Sequence, residues 1–189
     1  MCTANSGTFP IGTTTVSCSV TDANGNTGSA TGTVTVIDTI NPVVTYTGNA
    51  GTYTADQTIN ITCAATDSGS GVASTTCANV TGPAHTFTVG VNTRTVTATD
   101  AAGNTSSTTI TFTVTAPATA IGNVINNFVD SPTEAAKMNQ TLSLATKAPN
   151  ASSRAAHLNK LKNDIQKEIG KTLTAAEAAT LISLLNNLY

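Results

Sequence analysis

The sequence predicts all-β sandwich units, the first of them truncated, followed by a small all-α helical bundle, and three observations carry that expectation. Residues 1–117 are built mainly from Thr, Val, Ala, Gly, Ser and Asn, and their apolar residues alternate with polar ones at the strand period of two. One block recurs at an ungapped offset of 78 residues, Val20-Thr-Asp22-Ala-Asn-Gly25-Asn26-Thr27 against Ala98-Thr-Asp100-Ala-Ala-Gly103-Asn104-Thr105. Beyond residue 117 the apolar spacing changes to that of a helix.

The repeat extends on both sides of that block. Phe9-Pro-Ile11-Gly12 aligns with Phe87-Thr-Val89-Gly90, and Thr33-Val34-Thr35-Val36 with Thr111-Phe112-Thr113-Val114. Strands are expected in the first copy over residues 14–21 and 32–37. In the second they are expected over 43–47, 58–66, 72–77, 84–89, 92–100 and 105–115. In the second copy Ile59, Ile61, Cys63 and Ala65, then Val96 and Ala98, then Ile110, Phe112 and Val114 fall on one face. Val16, Cys18, Val20, Val34 and Val36 are their counterparts in the first. The alternate positions are Thr, Ser and Asn, the solvent side of an antiparallel sandwich. The first copy, residues 1–38, holds only the later half of such a unit. Its roughly 40 residues are too few to close a two-sheet core, so the chain is expected to begin inside a domain. Asp38-Thr-Ile-Asn-Pro42 reads as a linker, because proline restricts the residue before it to extended geometry and cannot donate to a ladder. The second unit is expected over 41–116.

The bundle is expected over 119–189. Ile121, Val124, Ile125 and Phe128 lie at i, i+3, i+4 and i+7. Ser131-Pro132-Thr-Glu134 combines an N-cap, a first-turn proline and a capping glutamate, leading into Ala135, Met138, Leu142 and Ala145. A third helix starts at Asn150 or Ser152, carries Leu158, Leu161, Ile165 and Ile169, and stops at Gly170. Thr174-Ala-Ala-Glu177 opens a fourth, with Ala178, Leu181, Ile182, Leu185 and Leu188.

Charge divides at the same place. Residues 1–117 have no Lys and one Arg (Arg94) against five Asp, a balance of −4, whereas residues 118–189 come to +2. Neither carries the clustered Lys and Arg that neutralising phosphates requires, so a nucleic-acid partner is excluded. No run of apolar residues is long enough to span a membrane. The opening residues have no charged and apolar export signal, so a signal for export is expected upstream.

All four cysteines, Cys2, Cys18, Cys63 and Cys77, lie in the β region, with no CxxC pair and no neighbouring His. That favours disulfides over zinc. Four cysteines allow three connectivities. The one that keeps each bridge within a unit joins Cys2 to Cys18 and Cys63 to Cys77, each closing a loop worth roughly 3 kcal/mol. Disulfides imply an oxidising, extracytoplasmic compartment; the alternative is four buried free thiols.

Residues 2–36, CTANSGTFPIGTTTVSCSVTDANGNTGSATGTVTV, resemble the second half of a hyalin-repeat (HYR) domain, whose pattern is FPxGxTxVxxxxxDxxGNxxxxxFxVxV. Gly32 stands where that pattern has a bulky residue, and the cysteines fall where bacterial versions often carry a pair. Residues 41–116 resemble a bacterial immunoglobulin-like repeat, chiefly through TVTATDAAGNTSSTTITFTVT. The tail HLNKLKNDIQKEIGKTLTAAEAATLISLLNNLY resembles the end of the FIMAH domain through Gly170-Lys171-Thr-Leu173-Thr174 and Ala178. These resemblances imply immunoglobulin-like units, an extracellular bacterial setting and no defined activity.

The sharper chemical readings are weaker. The Asp22–Asn26, Asp100–Asn104 and Asp67–Gly71 segments have oxygen donors but lack the distal Glu of a dedicated calcium loop, and are read as turns, with no metal assigned. His85 and His157 have no nucleophile signal near them, and no glycine-rich loop opens a helix for phosphate. No catalytic residue and no cofactor is therefore assigned. With no Trp and only Tyr46, Tyr53 and Tyr189, a sugar-stacking platform is poor. Asn-x-Ser/Thr triplets at Asn60, Asn79, Asn104, Asn139 and Asn150 are what this composition produces by chance. The expected function is a non-catalytic spacer or adhesion region at the C-terminal end of a larger secreted bacterial protein, outside the cell or on its surface. The alternative is a carbohydrate-binding accessory module of an enzyme whose catalytic domain lies upstream. The partners are then extracellular protein or polysaccharide.

Overall fold

The computed structural model describes residues 8–188. Among the described residues nine strands come first, β1 (Gly12–Thr21), β2 (Thr27–Val36), β3 (Val43–Thr47), β4 (Thr52–Thr54), β5 (Thr58–Thr66), β6 (Val72–Thr75), β7 (Val80–Pro83), β8 (Gly90–Asp100) and β9 (Thr105–Thr115). Four helices follow, α1 (Ala118–Phe128), α2 (Pro132–Thr146), α3 (Ala151–Lys167) and α4 (Ala175–Asn186). The strands form three sheets, β1-β2, β3-β5-β7 and β4-β9-β8-β6. Residues 84–89 do not form the expected strand. Ala84–Thr86 is a single 3-10 turn, with the ladder ending at Pro83, and Pro83 has no amide hydrogen to extend pairing.

The fold class departs from expectation. The molecule is mixed α/β, and the helices do not make a separate all-α bundle after immunoglobulin-like all-β units. Two compact units are present, and neither is contiguous in sequence. One comprises Met1–Thr45, Ala64–Cys77 and Val96–Thr108; the other comprises Tyr46–Cys63, Ala78–Thr95 and Thr109–Tyr189. In the second, one core joins Ala55 and Ala116 of the strand region to Ile121, Val124, Ile125, Met138, Leu142, Leu161, Ile165, Leu181, Leu184 and Leu185 of the helices. Asn123 on α1 donates to Asp56 at 2.6 Å, and the ring of His85 meets Phe128 edge-on at 4.9 Å. The physical reason is size. Four short helices bury too little apolar surface alone, and the stripe on α1 is completed by strand-region residues. A second core of the same unit packs Tyr53, Ile59, Ile61, Val80, Ile110, Phe112 and Val114.

Helix starts follow local chemistry. Ser131 accepts from Glu134 N ahead of Pro132, Asn150 accepts from Ser153 N, and Thr174 and Glu177 form a reciprocal capping box. Among the described residues no helix is long and apolar enough to cross a membrane.

The β1-β2 sheet is a ten-pair antiparallel hairpin running from Gly12↔Val36 to Thr21↔Thr27. Its two faces differ, although Thr14, opposite Val34, lies on the more apolar one. Thr13, Thr15, Ser17, Ser19 and Thr21 oppose Thr35, Thr33, Thr31, Ser29 and Thr27, while Val16, Cys18 and Val20 oppose Gly32, Ala30 and Gly28. No residue from Thr8 to Ile37 is buried.

Cys63 and Cys77 form a disulfide. Cys18 is also disulfide-bonded; Cys2, to which it is expected to pair, lies outside the described residues, as does Tyr189.

Candidate metal centre

The repeated Asp-x-x-Gly-Asn blocks fold alike. Asp22 N donates to Asn26 O and Gly25 N to Asp22 O, just as Asp100 N donates to Asn104 O and Gly103 N to Asp100 O. In each, one carboxylate oxygen accepts the Asn backbone amide and the other accepts the same residue's side-chain amide. Gly25 and Gly103 take φ of 88° and 93°, a left-handed conformation that glycine adopts without strain. The expected turns are present.

The structure adds what the turns are assembled with. Asp38, in the segment read as a linker, is 6% exposed, and Asp100 is 2% exposed. Together with half-buried Asp67 they place one carboxylate oxygen each within 4.8 Å of the others, all inside the first compact unit. Asp67 Oδ2 accepts the amides of Gly69 and Gly71 at 2.9 and 2.8 Å. Its Oδ1 is buried and accepts no hydrogen bond. Asp38 Oδ1 accepts from Ile40 N at 3.0 Å and Oδ2 from Ser70 N at 2.6 Å. Those amides hold the Asp38 carboxyl below the usual carboxylate range, so it is ionised at neutral pH. A methyl group on Gly69 would fall on the Asp38 carboxylate, so only glycine leaves room for it.

The linker is therefore fixed in place. Asn104 Nδ2 donates to Asp38 O at 3.1 Å and to Ile40 O at 3.3 Å, while Ala102 N donates to Ser70 Oγ at 3.1 Å. Sequence reasoning found Asp67 and Asp100 as turn residues and missed Asp38. The available signal was charge: residues 1–84 contain Asp22, Asp38, Asp56 and Asp67 and no basic side chain to pair with any of them.

Other candidates are placed as follows. Tyr53 is buried, edge-on to Phe112 at 6.1 Å, with its hydroxyl bonded to Gly48 O and Ala50 N. Tyr46 is half-buried against the same core. Tyr53 therefore offers no open ring face for stacking. His85 Nδ1 lies 3.3 Å from Ala55 O, and His157 is half-buried on α3. The two histidines lie on different elements.

No family model matches the chain, and no curated protein is similar to it.

Proposed function

We propose that the chain is a non-catalytic extracellular spacer or adhesion region of a secreted bacterial protein, with HYR-type and immunoglobulin-like repeats and a FIMAH-like helical region. The observation that carries this reading is the bonded linker. A spacer must transmit position, and a free hinge does not. Here Asp38 and Ile40 are tied to the 67–71 and 100–104 turns by hydrogen bonds through Ser70 and Asn104. The Cys63–Cys77 disulfide suits an oxidising compartment outside the cytoplasm.

The test is ¹⁵N relaxation on the intact chain. Amides of Thr39, Ile40 and Asn41 are expected to show order parameters near 0.85, as in a rigid backbone. Values below about 0.6 would make the segment a hinge and remove the basis of the spacer reading. Asn104→Ala is expected to loosen those residues together with the 100–104 turn, whose Asp100 the same side chain holds.

A further inference from the structure

The first compact unit poses an electrostatic problem. Its segments, Met1–Thr45, Ala64–Cys77 and Val96–Thr108, contain no Lys, Arg or His, yet three of their carboxylates converge. Two of these are more than nine-tenths buried. Carboxylates removed from water are paired with cations, bound to metals or neutralised. Pairing with a basic side chain is closed to this unit, and protonation is opposed at Asp38 by the two amides it accepts. A second observation singles out Asp67 within the cluster. Asp67 Oδ1 is buried with both lone pairs unused, while Oδ2 is fixed by two amides that hold the carboxylate in place.

We propose that Asp38, Asp67 and Asp100 bind a calcium ion. Calcium takes six to eight oxygen ligands at about 2.3–2.6 Å, so two ligands on opposite sides lie up to about 4.6–5.2 Å apart. The oxygens here lie within 4.8 Å of one another. Asp67 supplies an oxygen free of hydrogen bonds. Each oxygen of Asp38 and Asp100 that accepts a single amide hydrogen keeps a lone pair for the ion. The remaining ligands would be water or backbone carbonyls. The ion offsets two of the cluster's three negative charges at the point where linker and turns meet. The inference stands on the cluster alone: failure to bind calcium leaves the hydrogen-bonded linker and its relaxation test intact.

The experiment is equilibrium dialysis of the full chain, stripped with EDTA, against calcium chloride. NMR amide shifts are followed in parallel. The expected result is one ion per chain, with a Kd on the order of 10⁻⁴–10⁻³ M as in extracellular modules. Shifts of Ile40, Gly69, Gly71 and Asn104 should move, and those of Asn24 and Asn26 should not. Asp67→Asn and Asp38→Asn should each weaken binding at least tenfold, and Asp22→Asn should leave it unchanged. The NMR readout needs no variant, so it decides the matter even where a substitution prevents folding. No binding, movement of the Asn24 and Asn26 amides instead, or an equal response to magnesium at the same concentration would each overturn the assignment.

Discussion

The hairpins β1-β2 and β8-β9 are two copies of one sequence block, and the contrast between them separates what a local motif determines from what packing determines. Their turns share the same backbone bonds and the same Asp–Asn pairing, and the glycines that open each first strand, Gly12 and Gly90, have φ of 109° and 107°. Their fates differ. Val20 is 71% exposed whereas Ala98, its counterpart, is 1% exposed. Val34 and Val36 are half-buried where Phe112 and Val114 are fully buried. The side chains explain part of this. Gly32 and Val34 stand where the second copy has Ile110 and Phe112, so the first face has little bulk to bury. Turn geometry is thus a property of five residues, while burial depends on residues far away in sequence.

The sharpest test compares Phe112→Ala with Val34→Ala. Phe112 meets Tyr53 and Phe87 edge-on in a closed core, so its truncation should cost about 3–5 kcal/mol by transfer and cavity terms. Val34 loses far less contact, and its truncation should cost under about 1 kcal/mol. Urea unfolding followed by circular dichroism gives both values. Equal costs would mean that the first hairpin's apolar face is covered in solution and that the contrast fails.

Next in size is the disulfide. Replacing Cys63 and Cys77 together by serine should lower stability by about 3 kcal/mol, the entropy of a loop of about 15 residues restored to the unfolded chain. The same urea experiment on the double variant measures it. A loss below about 1 kcal/mol would mean that the unfolded chain is already compact around this loop.

How far these features could be read beforehand follows from the same division. Strand alternation, the repeat, both turns, the helix caps and the Cys63–Cys77 pair are local or short-range properties, carried by residues such as Ser131, Thr174 and Glu177 that act within one turn. The shared core escaped because nothing in the sequence says that Ala55 and Ala116 complete the stripe on α1. Alanine signals neither strand face nor helix contact. Asp38 escaped for a similar reason: beside Pro42 it reads as linker, and only the folded chain brings it to Ser70 and Asn104.

Glycine substitution in the turns probes the shared half of the comparison. Gly25→Ala and Gly103→Ala impose the same strain, about 1 kcal/mol each, because alanine is disfavoured at positive φ. The readouts should differ. Gly103→Ala should lower global stability, since its turn carries the buried Asp100 and Asn104 ties it to the linker, whereas Gly25→Ala should change only local hydrogen exchange around Asn24 and Asn26.

The smallest effect is an acid titration, and its sign is fixed by geometry. The Asn26 side-chain amide, then its backbone amide, hold the Asp22 carboxyl below the ordinary 3.8, with Asn24 and Gly25 adding to them. A carboxyl depressed by folding contributes its stabilisation above the unfolded value and loses it as pH falls through the lower folded value. The amide shifts of Asn24 and Asn26 should therefore stay flat from neutral pH down toward the ordinary value and move together only below it. Asp22→Asn should abolish the step. Asp38 is depressed in the same direction, chiefly by the Ile40 amide and then by Ser70, so the Ile40 and Ser70 shifts should also move only under acid conditions. Calcium separates the two. It should push the Asp38 step to still lower pH and leave the Asp22 step in place, because a bound cation favours the ionised carboxylate only where it is bound. A calcium shift of equal size at both aspartates would show general screening, and the two turns would then be alike in solution as well as in hydrogen bonding.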